Sequence, residues 1–160
     1  RDRRQRQMCI RDRNNKIPPP IVTLFFGLCI FFSKSYFPIY KSDILNSMGV
    51  VSFLIGISVL ISAVRSFKKQ DTTVNPINIE KASSLVVTGI FQYSRNPMYL
   101  GMVFILLALT LIFNLIGGIL FTILFMLYIS VFQIKPEEIV MDKLFGEEFA
   151  SYKKSVRKWL

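Results

Sequence analysis

The chain has 160 residues, 52% of them apolar with fifteen Phe, and a net charge of +10. A soluble domain of this size could not bury that much apolar surface, so the composition points to an integral membrane protein. There is no His, which removes the commonest general base and metal ligand. Two Cys are too few for a disulfide framework or a zinc site, and no metal is expected.

Residues 1–16, "RDRRQRQMCIRDRNNK", carry seven positive and two negative charges. A basic arm of this kind can attract anionic lipid or nucleic acid. The Arg/Asp/Gln run, with no Met at its start, reads instead as a foreign or mistranslated leader. It lacks the layout of a cleavable signal peptide. No function and no nucleic-acid partner are assigned to it, and residues 17–160 are read as a single membrane domain.

The first apolar segment runs from about Ile17 to Phe32, with Pro18, Pro19 and Pro20 at its entry, where first-turn amides need no partner inside a helix. Cys29 within it reads as a small apolar residue. The second runs from about Met48 to Val64. Its small residues four apart, Ser52 with Gly56 and Ser58 with Ser62, permit close approach of helix backbones. The third and fourth share the uncharged run from Met98 to Phe132. One helix of that length would span roughly 50 Å, against a bilayer core of about 30 Å. The run must fold back, and Asn114 with Gly117-Gly118 is the place for it. The expected fold is all-α, with about four transmembrane helices and a C-terminal amphipathic cytoplasmic helix.

Lys and Arg orient these helices. The 33–47 connection holds Lys34 and Lys41 only. Arg65, Lys68, Lys69, Lys81 and Arg95 lie in the 65–97 connection, and Lys135, Lys143, Lys153, Lys154, Arg157 and Lys158 follow the last apolar run. Eleven against two places the 65–97 connection and both termini in the cytoplasm.

Two polar stretches flank the hairpin: "TTVNPINIEKASSLVVTGIFQYSRNPMYLG", residues 72–101, and "KPEEIVMDKLFGEEFASYKKSVRKWL", from Lys135 onward. Read structurally, Asn96-Pro97 is an N-cap followed by Pro at the first helical position. Arg95 snorkels to headgroups. Pro136, Glu137 and Glu138 start a helix, whose apolar residues and interspersed Lys/Arg suit an anionic membrane surface. Paired carboxylates directly after a membrane helix nevertheless run against the local positive bias. They call for a cation: Arg95, or a positively charged ligand such as a sulfonium with its amino group.

"LVVTGIFQYSRNPMYLG" and "EEIVMDKLFGEEFASYKKSVRKW" together resemble the isoprenylcysteine carboxyl methyltransferase family, in the same order and separated by a helical hairpin. With the Pro-rich entry, the resemblance covers about residues 17–160. Phospholipid N-methyltransferases share the looser architecture, as do NADPH-dependent membrane sterol reductases. The resemblance implies methyl transfer from S-adenosylmethionine to a lipophilic acceptor, with carboxyl O-methylation favoured. Its alternatives are phospholipid N-methylation, a sterol-reductase-type activity, or a scaffold that binds neither cofactor. Carried over by motif, the cofactor contacts are Ser83, Ser84, Leu85, Val86, Phe91, Arg95, Asn96, Pro97, Met98, Tyr99 and Glu137, with Glu138 completing the acidic pair. Arg95 would brace that pair or the cofactor carboxylate. Two positions depart from the family: Asn96 stands where His is usual, and Gln133 stands where eukaryotic members place an Arg that meets the substrate carboxylate. Gln133 is the substrate-binding candidate, and no catalytic base is assigned.

Overall fold

A computed structural model describes residues 17–40, 42–69 and 84–160. The leader, Lys41 and residues 70–83, Ser83 among them, therefore lie outside the described residues. Three prolines fix where the first helix, α1 (Pro19–Ser33), begins. Pro18 is extended (φ −55°, ψ 130°), and its carbonyl accepts the Ile21 amide at 2.9 Å, closing the first turn. The second helix, α2 (Asp43–Lys69), runs for 27 residues, beyond the expected apolar segment at both ends. Asp43 in its first turn and Lys68 and Lys69 in its last complement the helix dipole.

Helix α2 packs along α3 (Pro97–Phe113). A Cβ on Gly56 would lie 2.8 Å from the Gly101 carbonyl oxygen, so only hydrogen at both positions lets the two backbones meet. Ser52 Oγ donates to the Phe104 carbonyl at 2.8 Å across the same seam. The second small-residue pair does not serve this seam. Ser58 is exposed and bonds within its own helix, to Leu54.

The long apolar run breaks at one residue. Asn114 is extended (φ −165°, ψ 111°), and α4 (Leu115–Ile129) doubles back beside α3. Asn114 Oδ1 accepts the Gly117 amide at 3.2 Å, capping α4. A Cβ on Gly118 would sit 2.5 Å from Thr110 Oγ1, which leaves that position to glycine.

Helix α4 does not end before α5 (Lys135–Ser155), as the Pro136 helix start had suggested. A π-helical turn, Ser130–Ile134, carries one into the other, and the Lys135 amide reaches back to the Ser130 carbonyl. Pro136 has no N–H to offer the carbonyl four residues earlier, so a widened turn here costs no bond that an α-helix would keep. Gly146, at φ 47° and ψ −115°, then kinks α5, a conformation open to glycine at little cost.

The main core joins Val22 and Ile30 of α1, Tyr99, Met102, Val103 and Leu106 of α3, Phe125 and Ile129 of α4, and Ile134. Two helices, Asp43–Lys69 and Leu115–Ser155, are long and apolar enough to cross a bilayer, while α1 and α3 are shorter apolar helices. In the apolar windows of the long pair only 17% and 28% of residues are buried. Helices apolar all round yet mostly uncovered face lipid rather than a soluble core. The apolar part of the second ends at Ile134, before the acidic pair. The chain is a membrane protein.

Candidate active site

The entry to α3 is built by Pro97, whose fixed φ and missing donor suit the first helical position. Asn96 precedes it, but its side chain does not cap the helix. Its Nδ2 instead donates to the Lys158 carbonyl at 2.9 Å. One residue earlier, the Arg95 amide donates to the Arg157 carbonyl at 3.0 Å. The expected N-cap is therefore a long-range tie, because a carbonyl of the C-terminal tail outcompetes the local turn. Beyond Ser155 the chain becomes extended at Val156 and crosses this entry, seating Trp159 against the core that contains Tyr99.

Arg95 and the acidic pair meet here. Arg95 Nη2 lies 3.2 Å from Glu138 Oε1, and Lys158 Nζ lies 3.8 Å from Glu138 Oε2. The Arg95 contact is an ion pair without hydrogen-bond alignment. Arg95 Nε and Nη1 and Glu138 Oε1 remain buried with no hydrogen-bond partner. Both oxygens of Glu138 face protein cations, whereas Glu137 has no ion pair among the described residues. The Tyr99 hydroxyl donates to Glu137 Oε1. Burial pushes the Glu137 carboxyl up to about 8, with the Tyr99 hydrogen bond pulling the other way and the Glu138 charge adding to the rise.

The remaining candidates separate into walls and contacts. Val86, Phe91 and Met98 pack with Ala63, Phe67 and Ile90, Phe91 meeting Phe67 edge to face at 5.1 Å between centroids. Leu85 packs with Phe149 and Tyr152. Pro97 is fully buried. Ser84 lies at the start of the same segment. Gln133 is 1% exposed. Its Nε2 donates to the Ile17 carbonyl at 2.9 Å, while its Oε1 has no partner. Arg95, Asn96, Tyr99, Glu137 and Glu138 thus converge, and Leu85, Val86, Phe91 and Met98 form apolar clusters beside them.

Sequence reasoning missed three contributors. Tyr152 donates to the Phe91 carbonyl at 2.6 Å and pins the 3₁₀ turn Gly89–Gln92 to α5. Ser94 is fully buried and accepts the Asn96 amide at 3.2 Å. Lys158 is the second cation on Glu138. All three lie within the two stretches that carry the family resemblance, but nothing in the spacing assigned them these partners.

Chemically, the cluster suits an amino-acid group: a carboxylate for the spare donors of Arg95 and an ammonium for Glu137. That is the charged end of S-adenosylmethionine, and the residues fit it. No group of His, Cys, Asp and Glu suited to a metal occurs among the described residues.

Comparison with known proteins agrees. Residues 45–148 match the phospholipid methyltransferase family. A protein of Haemophilus influenzae, described as uncharacterized, is 44% identical over 63 residues, covering 39% of this chain and all of that protein. No solved structure matches significantly. With 104 of its 160 residues matched, the chain belongs to the phospholipid methyltransferase family of S-adenosylmethionine-dependent membrane enzymes.

Proposed function

We propose that this enzyme methylates the polar head of a membrane amphiphile at the cytoplasmic surface, using the site between Arg95, Tyr99 and Glu137. The observation that carries the reading is one pair of facts at one end of the bundle. Arg95 keeps two buried donors unspent, and Glu137 offers a half-buried carboxyl held in place by Tyr99. S-adenosylmethionine supplies an activated methyl on a sulfonium. Arg95 would hold its carboxylate and Glu137 its ammonium, while Tyr99 fixes the Glu137 rotamer. The clusters around Phe91 and Leu85 keep water out. Methyl transfer is an in-line displacement that needs alignment and dryness more than a strong base. The finer motif resemblance, to isoprenylcysteine carboxyl methyltransferases, supports an O-methyl product. Ser83, outside the described residues, keeps its expected place among the cofactor contacts.

Purified protein in lipid vesicles with methyl-labelled S-adenosylmethionine tests this. Label is expected in the organic phase, and base then separates the subclasses: a methyl ester releases methanol and an N-methyl group does not. Label confined to water-soluble products would overturn the proposal. In the proposed arrangement all four apolar helices span the bilayer, α5 continues from α4 on the cytoplasmic side, and both termini are cytoplasmic, as the Lys/Arg asymmetry supports. A Cys placed at Ser42 should react with an impermeant reagent in intact cells and one at Ser151 should not. Equal labelling sinks that orientation.

A further inference from the structure

At the end of the bundle opposite Arg95 and Glu137, a groove of about 700 Å³ runs between α2, α3 and the start of α4. On α2 it follows one helical stripe, from Asp43 through Ser47 and Val51 to Ile55, and Phe104, Leu111 and Leu115 face that stripe. Its base is held rigidly. A Cβ on Gly49 would lie 2.7 Å from Ile112 Cγ1, and one on Gly56 would lie 2.8 Å from the Gly101 carbonyl oxygen, so α2 and α3 meet at backbone distance. The deeper hydroxyls are engaged: Ser52 Oγ donates to the Phe104 carbonyl and Thr110 Oγ1 to the Leu106 carbonyl. The interior is therefore hydrocarbon in character. Charge stands at the mouth alone, where Asp43 is exposed and has no ion pair among the described residues. Val51 and Ile55, 55% and 41% exposed, leave the groove open sideways to lipid.

We propose that this groove is a binding site for a resident phospholipid, with one acyl chain along α2 and a cationic head-group nitrogen against the Asp43 carboxylate. Length favours a lipid chain. Ile55 lies twelve residues on from Asp43, about 18 Å at 1.5 Å each, close to the roughly 15 Å depth of one leaflet. Volume disfavours a helix from a second copy. A helix is about 10 Å across, so the same length of one would fill roughly 1,400 Å³ against the 700 Å³ present. Charge then selects the head group. An ionised carboxylate stays at head-group depth, which sets the polar end of the lipid beside Asp43. A choline or ethanolamine head brings a positive nitrogen to it, whereas a phosphoglycerol head brings only negative charge. The site is separate from the acceptor's, which the reading above puts beside Tyr99 and Glu137, and it does not depend on methyl transfer.

Native mass spectrometry of the full chain tests this, after exchange in detergent against equal amounts of phosphatidylcholine and phosphatidylglycerol. One lipid per chain is expected to remain. Phosphatidylcholine should exceed phosphatidylglycerol by roughly fivefold, the ratio that one charge confers near a membrane surface. Asp43→Asn should retain a lipid without that preference. Val51→Trp puts an indole into the groove and should lose the lipid. Retention undiminished in Val51→Trp would locate the lipid elsewhere on the surface and overturn the proposal. A wild type that retains lipid without preference overturns it as well, and so does a preference that persists in Asp43→Asn. A wild type that sheds all lipid and flies as a dimer would give the groove to a second copy, which also overturns it. Asp43 is exposed, so its variant decides the matter even where Val51→Trp fails to fold.

Discussion

The two ends of the helical bundle treat buried polar groups in opposite ways. At the hairpin end Ser33 donates to Ile30, Asn114 donates to Ser33 and accepts from Gly117, and Thr110 donates to Leu106 while meeting Thr122 at 3.3 Å. At the other end lie all the buried side-chain atoms without a hydrogen-bond partner among the described residues: on Arg95, Gln133 and Glu138. Same chain, same apolar surroundings, different accounting. A closed network stiffens the fold and has no hydrogen bond left for a ligand, whereas an open one retains unmet capacity at a stability cost. Polarity alone does not mark a site; unsatisfied polarity does.

Substitutions should sort by end. The largest effect is expected at the open end, on binding rather than stability. Glu137→Gln should weaken S-adenosylmethionine binding by about 1.5–3 kcal/mol, the usual worth of a hydrogen bond to a charged group. The folded state holds the Glu137 proton more tightly than the unfolded chain, its carboxyl lying near 8 rather than in the ordinary range. The wild type must therefore lose stability as pH rises from the ordinary carboxylate range through about 8. Glu137→Gln removes that loss, so its cofactor-free melting temperature should gain on the wild type between pH 5 and pH 8.5. A Tm difference that does not change with pH would mean the carboxyl ionises freely in the fold.

The closed end should show the reverse: lost stability, with affinity preserved in whatever remains folded. Gly118→Ala forces a methyl to within 2.5 Å of Thr110 Oγ1 and 2.7 Å of its Cα, an overpacking worth about 1–3 kcal/mol. Asn114→Ala removes the α4 cap and should cost about 1 kcal/mol. Denaturant unfolding in detergent measures both. A Gly118→Ala protein as stable as wild type would show that the hairpin relaxes and that the two ends do not differ in rigidity.

The helices were legible because each rests on a local signal. Prolines mark the entries of α1 and α3, and the run from Met98 to Phe132 is too long for one span, which forces the break at Asn114. The Arg95–Glu138 meeting was legible from charge, since a carboxylate pair on a basic face needs a cation. What stayed hidden depends on contacts far apart in the chain. The Asn96 amide is spent on Lys158, 62 residues away, and Gln133 on Ile17, 116 residues away. No spacing rule foretells either. The kink at Gly146 was hidden differently: a lone glycine in a helical pattern is usually tolerated without a break.

The lengths of α1 and α3 carry a consequence of their own. Fifteen and 17 residues rise about 22 and 26 Å at 1.5 Å each, short of a hydrocarbon layer about 30 Å thick. In the proposed four-span arrangement the bilayer must pinch inward around these helices, since thinning is how lipid meets a span that is too short. Pinching draws neighbouring head groups toward the midplane along the same flank where α1 and α3 begin beside Gln133 and Tyr99. The enzyme would thus work fastest in membranes of short or disordered acyl chains, and bilayer thickness would act as a throttle on its access to lipid.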